Sequence, residues 1–187
     1  MRPLRSAVLT VETAATPIRV RVSEATGGGL LVEVEAPYFG DPAPPTFPGP
    51  TDRLFEFEVV ELFLAQESDP SRYLEVELSP HGHHFVLAFE GVRNAVAKAI
   101  QIPYAAQLDG ERWRGVAFLS TEWVPEGELL ANAFAAHGSD GGSDGGSGAG
   151  SGAGRRYLSA WPFPGEQPGD RPNFHRPHAY PRLFPVS

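Results

Sequence analysis

The sequence predicts an all-β fold, an antiparallel sandwich with little helix. Three observations predict it. Short runs of alternating apolar and polar residues recur along the chain, as in IRVRV at 18–22 and YLEVEL at 73–78, and a period of two is that of a half-buried strand. Turn residues separate these runs, with 21 glycines and 19 prolines among 187 residues, as in proteins built from many short strands. No long stretch carries the 3.6-residue periodicity of an amphipathic helix, which leaves sheet packed on sheet as the way to bury a core. A barrel is the main alternative.

Taken in order, VLTVE at 8–12 and IRVRV at 18–22 are strands, GGG at 27–29 is a turn, and LLVEVE at 30–35 alternates again. The stretch 37–50, PYFGDPAPPTFPGP, is extended and cannot be a central strand, because proline has no N–H to donate to a ladder. Residues 54–64 (LFEFEVVELFL) are the strongest strand candidate, rich in β-branched and aromatic side chains. A turn at 66–71, the strand 73–78, the tight turn SPHG at 79–82 and a strand at 84–89 then make a hairpin. RWRGVAFL at 112–119 and LANAFAAH at 130–137 read as further strands. Alanine also favours helix in the second, but it is short and has strands for neighbours. One helical turn is expected within 121–129, broken at Pro125.

Residues 138–154, GSDGGSDGGSGAGSGAG, bury too little apolar surface to offset the entropy of ordering and are predicted to be a flexible surface loop. This insert interrupts a hairpin that resumes at RYL, 156–158. The segment from 159 onward holds more aromatic rings than a disordered tail usually does, and is expected to wrap over the sandwich and supply side chains to it. One domain spanning 1–187 is predicted.

The charge balance, 23 acidic against 15 basic residues for a formal −8, and the lack of a basic run argue against nucleic acid and anionic membrane as partners. Absence of cysteine excludes disulfides, zinc–thiolate sites and thiol nucleophiles. Glu12 and several threonines interrupt the first twenty residues, so neither a signal peptide nor a membrane span is read there, and a cytoplasmic location is expected.

Strand alternation sorts the candidate site. Val60, Leu62 and Leu64 share one face of their strand, and Val59, Glu61 and Phe63 the other. Leu74, Val76 and Leu78 share one face of the next, against Tyr73, Glu75 and Glu77. If the two strands pair, the face away from the core gathers Glu61, Glu75 and Glu77 with Phe63 and Tyr73. Carboxylates beside rings suit a sugar, whose hydroxyls donate and whose C–H faces stack, although a solvated outer face produces the same alternation. Glu75 and Glu77 lie about 7 Å apart by strand rise. They point the same way and so do not flank a bond as a glycoside hydrolase pair would. A second cluster, His81-Gly82-His83-His84, with His137 and His175 further on, is a candidate metal site because imidazole is the commonest metal ligand. Trp113, Trp123 and Trp161 remain, and tryptophans often fill sandwich cores. Trp161, in a proline-rich segment, is the best stacking candidate. No phosphate loop and no nucleophile elbow is present.

The runs EVVELFL at 58–64 and YLEVELSPHG at 73–82 resemble the strand pair of the family 9 carbohydrate-binding-module superfamily. A closer resemblance is to an uncharacterised protein family numbered 0462, through APYFGDPAPP, FEFEVVELFL, YLEVELSPHGHHFVL, GVRN at 91–94, WRG at 113–115, FAAHGS, RY at 156–157 and PNFH at 172–175, in order over most of the chain. The resemblance implies a jelly-roll-like β-sandwich with no established activity. By position it points to Glu61, Glu75, Glu77, Arg93, Asn132 and Trp161 as ligand contacts. The closer family's motifs add His81, His84, His137 and His175, where a divalent metal such as calcium or zinc would sit. Phe55 stands where that family usually has tryptophan, and Trp161 where another aromatic is common. The expected function is binding of a sugar or related small ligand on one sheet face. A metal-binding protein or metal-dependent enzyme using the histidines, and a protein-interaction scaffold, are the alternatives.

Overall fold

The computed structural model describes residues 3–14, 16–138, 155–163 and 173–185. The glycine- and serine-rich loop expected at 138–154 lies outside them except for Gly138. Among the described residues eleven strands form two antiparallel sheets, with two single-turn 3-10 segments and no α-helix. The strands are β1 (Ser6–Val11), β2 (Ile18–Glu24), β3 (Leu30–Pro37), β4 (Val59–Gln66), β5 (Asp69–Leu78), β6 (His84–Glu90), β7 (Ala95–Ala97), β8 (Tyr104–Asp109), β9 (Arg112–Leu119), β10 (Leu129–His137) and β11 (Arg156–Ser159). One sheet runs β1-β2-β3-β9-β8 and the other β11-β10-β4-β5-β6-β7. The sandwich expected from strand spacing is the fold observed.

The core lies between the sheets and follows the alternation residue by residue. Ile18, Val20, Val22, Val32 and Val34 from the five-stranded sheet meet Val60, Leu62, Leu64, Leu74, Val76, Leu78 and Val86 from the six-stranded one. Trp113 is buried among them, filling the core. Gly29 closes the β2–β3 turn at φ 81°, and a Cβ there would lie 2.4 Å from the Leu119 carbonyl oxygen, so the turn needs glycine.

The outer faces of the two sheets differ, and that difference positions the site. On the five-stranded sheet the outward face is open to solvent and carries charges, with Arg21 and Arg114 facing Glu33 and Glu35 at 3.8 and 3.7 Å, beside exposed Val8 and Val116. On the six-stranded sheet every residue from Val59 to Ala65, from Tyr73 to Leu78 and from Leu129 to His137 is buried. Both faces of these central strands are covered. The outward cover comes partly from the segment after β11, as the aromatic content there led us to expect. Phe163, Phe174, Ala179 and Tyr180 pack on the outer face. Leu183 and Phe184 turn into the core. The same segment protects an edge: β11 pairs with β10 only over Phe134–His137, and at the other end of β10 the Ala131 and Leu183 amides bond across to the Pro181 and Leu129 carbonyls.

Two local expectations are corrected. Residues 54–64 are not one strand: Leu54–Glu56 forms a 3-10 turn and β4 begins at Val59. Arg53 is left-handed at φ 59°, Leu54 is buried, and the Arg155 guanidinium collects the carbonyls of Phe55, Glu56 and Phe57. A tertiary contact therefore overrides strand propensity there. Residues 120–124 make the single turn expected before Pro125, with the Trp123 and Val124 amides both donating to the Ser120 carbonyl at 3.1 and 3.2 Å. The turn at 66–71 is shorter than expected, because β5 starts at Asp69. Strands β7 and β8 lie beyond the sequence reading: both are edge strands with much exposure and several alanines, which mutes the alternation.

Candidate functional site

β4 and β5 pair in the register that puts Glu61 opposite Glu77 and Phe63 opposite Glu75. β6 continues the face with Phe85 opposite Glu77, Leu87 opposite Glu75 and Phe89 opposite Tyr73. β10 adds Phe134 opposite Glu61. The structure thus brings Glu61, Glu75 and Glu77 together beside Phe63 and Tyr73, the arrangement that alternation predicts if the strands pair. It departs from a solvated outer face in one decisive respect. Glu61, Glu75 and Glu77 are only 3%, 8% and 2% exposed.

Rings wall this face. Tyr73 and Phe89 stack at 4.5 Å, Phe134 and Phe174 at 4.0 Å, and Phe63 meets Phe134 edge-on at 5.4 Å. His175 stands edge-on to Phe63 and Phe89 at 5.5 and 5.3 Å.

A polar chain crosses these rings. Arg93 sits in the tight β6–β7 turn in a left-handed conformation, φ 60°, a strained geometry that a non-glycine residue keeps only where its surroundings enforce it. Its backbone N–H donates to the Tyr73 hydroxyl at 2.9 Å, and that hydroxyl lies 2.8 Å from His175 Nδ1. With its oxygen accepting from Arg93, Tyr73 can donate to Nδ1, which favours the tautomer carrying the proton on Nε2, 3.8 Å from Glu75 Oε2. The Arg93 guanidinium donates to Asn173 Oδ1 at 2.9 Å, tying the turn to the covering segment.

Burial sets the charges. It pushes the Glu75 carboxyl up to about 7, against the pull of a hydrogen bond with Glu77 and of the Arg93 charge. Glu77 is pushed well above the ordinary carboxylate range by burial and by the neighbouring Glu61 and Glu75 charges. His175 goes the other way, to about 4, through burial and then the Arg93 charge, and is neutral at pH 7. Among the described residues Glu77 Oε2 is buried without a hydrogen-bond partner. An acceptor left so is costly unless something donates to it.

Asn132 is completely buried, and its amide is taken up by backbone: Nδ2 donates to the Trp161 carbonyl at 2.9 Å, and Oδ1 accepts from the Trp161 and Ala133 amides at 3.0 and 2.9 Å. It holds Trp161 in place, and the Trp161 side chain stands 54% exposed.

The four histidines do not meet. His81 Nε2 lies 3.3 Å from the Asp41 carbonyl oxygen and 3.5 Å from the Tyr38 hydroxyl. His137 stacks on Phe39 at 3.6 Å. His84 packs edge-on to Tyr104, and burial lowers its pKa. His175 stands over the carboxylates. Among the described residues no group of three or more His, Asp or Glu is placed to hold a metal ion.

A second polar centre lies beneath the proline-rich stretch, where Glu58 accepts the Phe39 amide at 3.1 Å and Asp41 accepts the Gly138 amide at 2.8 Å. Burial raises Glu58 to about 7. Sequence reasoning missed this centre, because only the fold brings residue 41 to residues 138 and 155, the latter 3.7 Å away through its guanidinium. It also missed Phe89, Phe134 and Phe174, although the period-two run Phe85, Leu87, Phe89 carries the signal for the first.

No family model matches the chain. The chain is 37% identical over 164 residues to "UPF0462 protein C4orf33 homolog" of Danio rerio, covering 86% of this chain and 76% of that protein. To "UPF0462 protein C4orf33" of Homo sapiens it is 33% identical over 163 residues, covering 85% and 75%. A crystal structure of a "putative carbohydrate-binding protein" from Bacteroides uniformis superposes with a TM-score of 0.64 at 19% identity, over 97% of this chain and 86% of the other. This likeness extends to the fold. No helix among the described residues is long and apolar enough to cross a membrane.

Proposed function

Since the chain belongs to the UPF0462 family, we propose from its own geometry that it is a carbohydrate-binding-like domain holding a sugar or related small polyol on the outer face of the six-stranded sheet. Glu61, Glu75 and Glu77 accept hydroxyl hydrogen bonds, Arg93 donates, and Trp161, braced by Asn132, stacks at the edge. The observation that carries this reading is the buried Glu77 Oε2 without a partner, set beside two more carboxylates and a wall of rings. Ligand sites are apolar surfaces with a few convergent polar groups, and this face has that composition. The "putative carbohydrate-binding protein" of like fold supports the same reading.

Thermal unfolding across a panel of mono- and oligosaccharides tests it. A sugar at about 100 times its Kd adds roughly 2.7 kcal/mol, a rise of about 5–11 °C in Tm for a domain of this size. Glu75→Ala is expected to remove that rise while the protein still unfolds cooperatively. A rise that survives Glu75→Ala places the sugar elsewhere, and no rise with any sugar removes the reading.

A further inference from the structure

The hydrogen-bonding groups of the outer face are out of balance. Three carboxyls, Glu61, Glu75 and Glu77, gather there; burial favours their protonated forms, whereas a cation bound beside them favours the ionised form, which only accepts. The donors beside them are largely spent. The Tyr73 hydroxyl is engaged with the Arg93 amide and His175 Nδ1. The Asn132 amide is spent on backbone, and the Arg93 guanidinium donates to Asn173. His175 Nε2 comes no nearer than 3.8 Å to Glu75 Oε2. Glu77 Oε2 is left buried with no donor among the described residues. Glu75 and His175 side chains are 10% and 18% exposed, so the face reaches solvent at this pair.

A hydroxyl brings one donor and two acceptors, whereas an ammonium group brings three donors, no acceptor and a positive charge. Buried charge is stable only when paired, and charge-assisted hydrogen bonds are about twice as strong as neutral ones. The rings of Phe63, Tyr73 and Phe89 share this outer face with the carboxyls, and an aromatic ring attracts a cation over its face. We propose that this site prefers an amino sugar, its protonated amine directed at Glu77 and Glu75, over the corresponding neutral sugar. The inference rests on the sugar-binding reading and narrows it to a ligand class.

Isothermal titration of the full chain with matched pairs decides the matter: glucosamine and glucose, galactosamine and galactose, mannosamine and mannose, with the N-acetyl derivatives and glucuronate alongside. In at least one pair the amine is expected to bind more tightly by about tenfold or more, with the gain lost on N-acetylation and glucuronate weakest. Glu77→Gln is expected to weaken both ligands of a pair and the amine more, so that the ratio of the two affinities falls toward one; a ratio that stays at about tenfold or more in the variant overturns the assignment of the amine to Glu77. Should that variant fail to fold, Glu75→Gln serves the same comparison. Equal affinities within every pair overturn the amine preference and leave the sugar-binding reading standing. Silence from the whole panel overturns both.

Discussion

Replacing Glu75 by glutamine is expected to stabilise the protein above neutral pH. In the folded chain burial raises this carboxyl from 4.5 to about 7. The folded state therefore keeps its proton to higher pH than the unfolded chain does. The stability that Glu75 contributes is fully present below the unfolded pKa, about 4.5, and is lost as pH rises through 7. The gap corresponds to about 3 kcal/mol. Glutamine keeps the shape, never ionises, and has an N–H that can donate to Glu77 in place of the carboxyl proton. The variant and the natural protein should lie within about 1 kcal/mol of each other at pH 5 and separate progressively, the variant gaining up to about 3 kcal/mol by pH 8. His175 works in the opposite sense: its pKa is lowered to about 4, so its contribution is lost as pH falls from 6.5 toward 4. Its contribution occurs in both proteins, as does that of Glu58, and the difference between the two reports Glu75 together with its effect on Glu77, whose carboxyl the Glu75 charge helps to raise. Urea denaturation at pH 5, 6, 7 and 8 measures it. A variant less stable than the natural protein by about 1 kcal/mol or more at pH 8, or a difference that does not change with pH, would refute the argument that burial of this charge dominates.

Asn132→Ala removes three hydrogen bonds of the Asn132 amide, two to the Trp161 backbone and one from the Ala133 amide. It is expected to cost about 1–3 kcal/mol, and a shift in tryptophan emission would report the loosening of Trp161. Trp113→Ala leaves a hole in the core between the sheets and should cost about 3–5 kcal/mol by urea denaturation. A loss well under that range would mean that the sheets close over the gap.

Much of the sandwich was legible in the chain because a period of two assigns faces without any knowledge of the partner strand. The runs at 18–22, 30–35 and 73–78 have their alternate valines and leucines in the core as the alternation requires, with Leu31 facing outward. Alternation also put Glu61, Glu75 and Glu77 on one face with Phe63 and Tyr73. What it cannot say is whether that face is wet. The outward residues of the five-stranded sheet alternate in the same way and are solvated, whereas those of the central β4 and β5 are buried. The cause lies some hundred residues away, in the segment carrying Phe174, His175 and Tyr180. Burial raises the carboxyls, lowers the histidine and leaves Glu77 Oε2 without a donor. None of these can be read locally, because desolvation depends on everything packed around a group. The same reason separates the four histidines, whose spacing along the chain is blind to where the turns carry them. Local sequence determined which side chains point together. The tertiary structure decided which of those faces were removed from water, and electrostatic consequences follow from water's removal rather than from the residues alone.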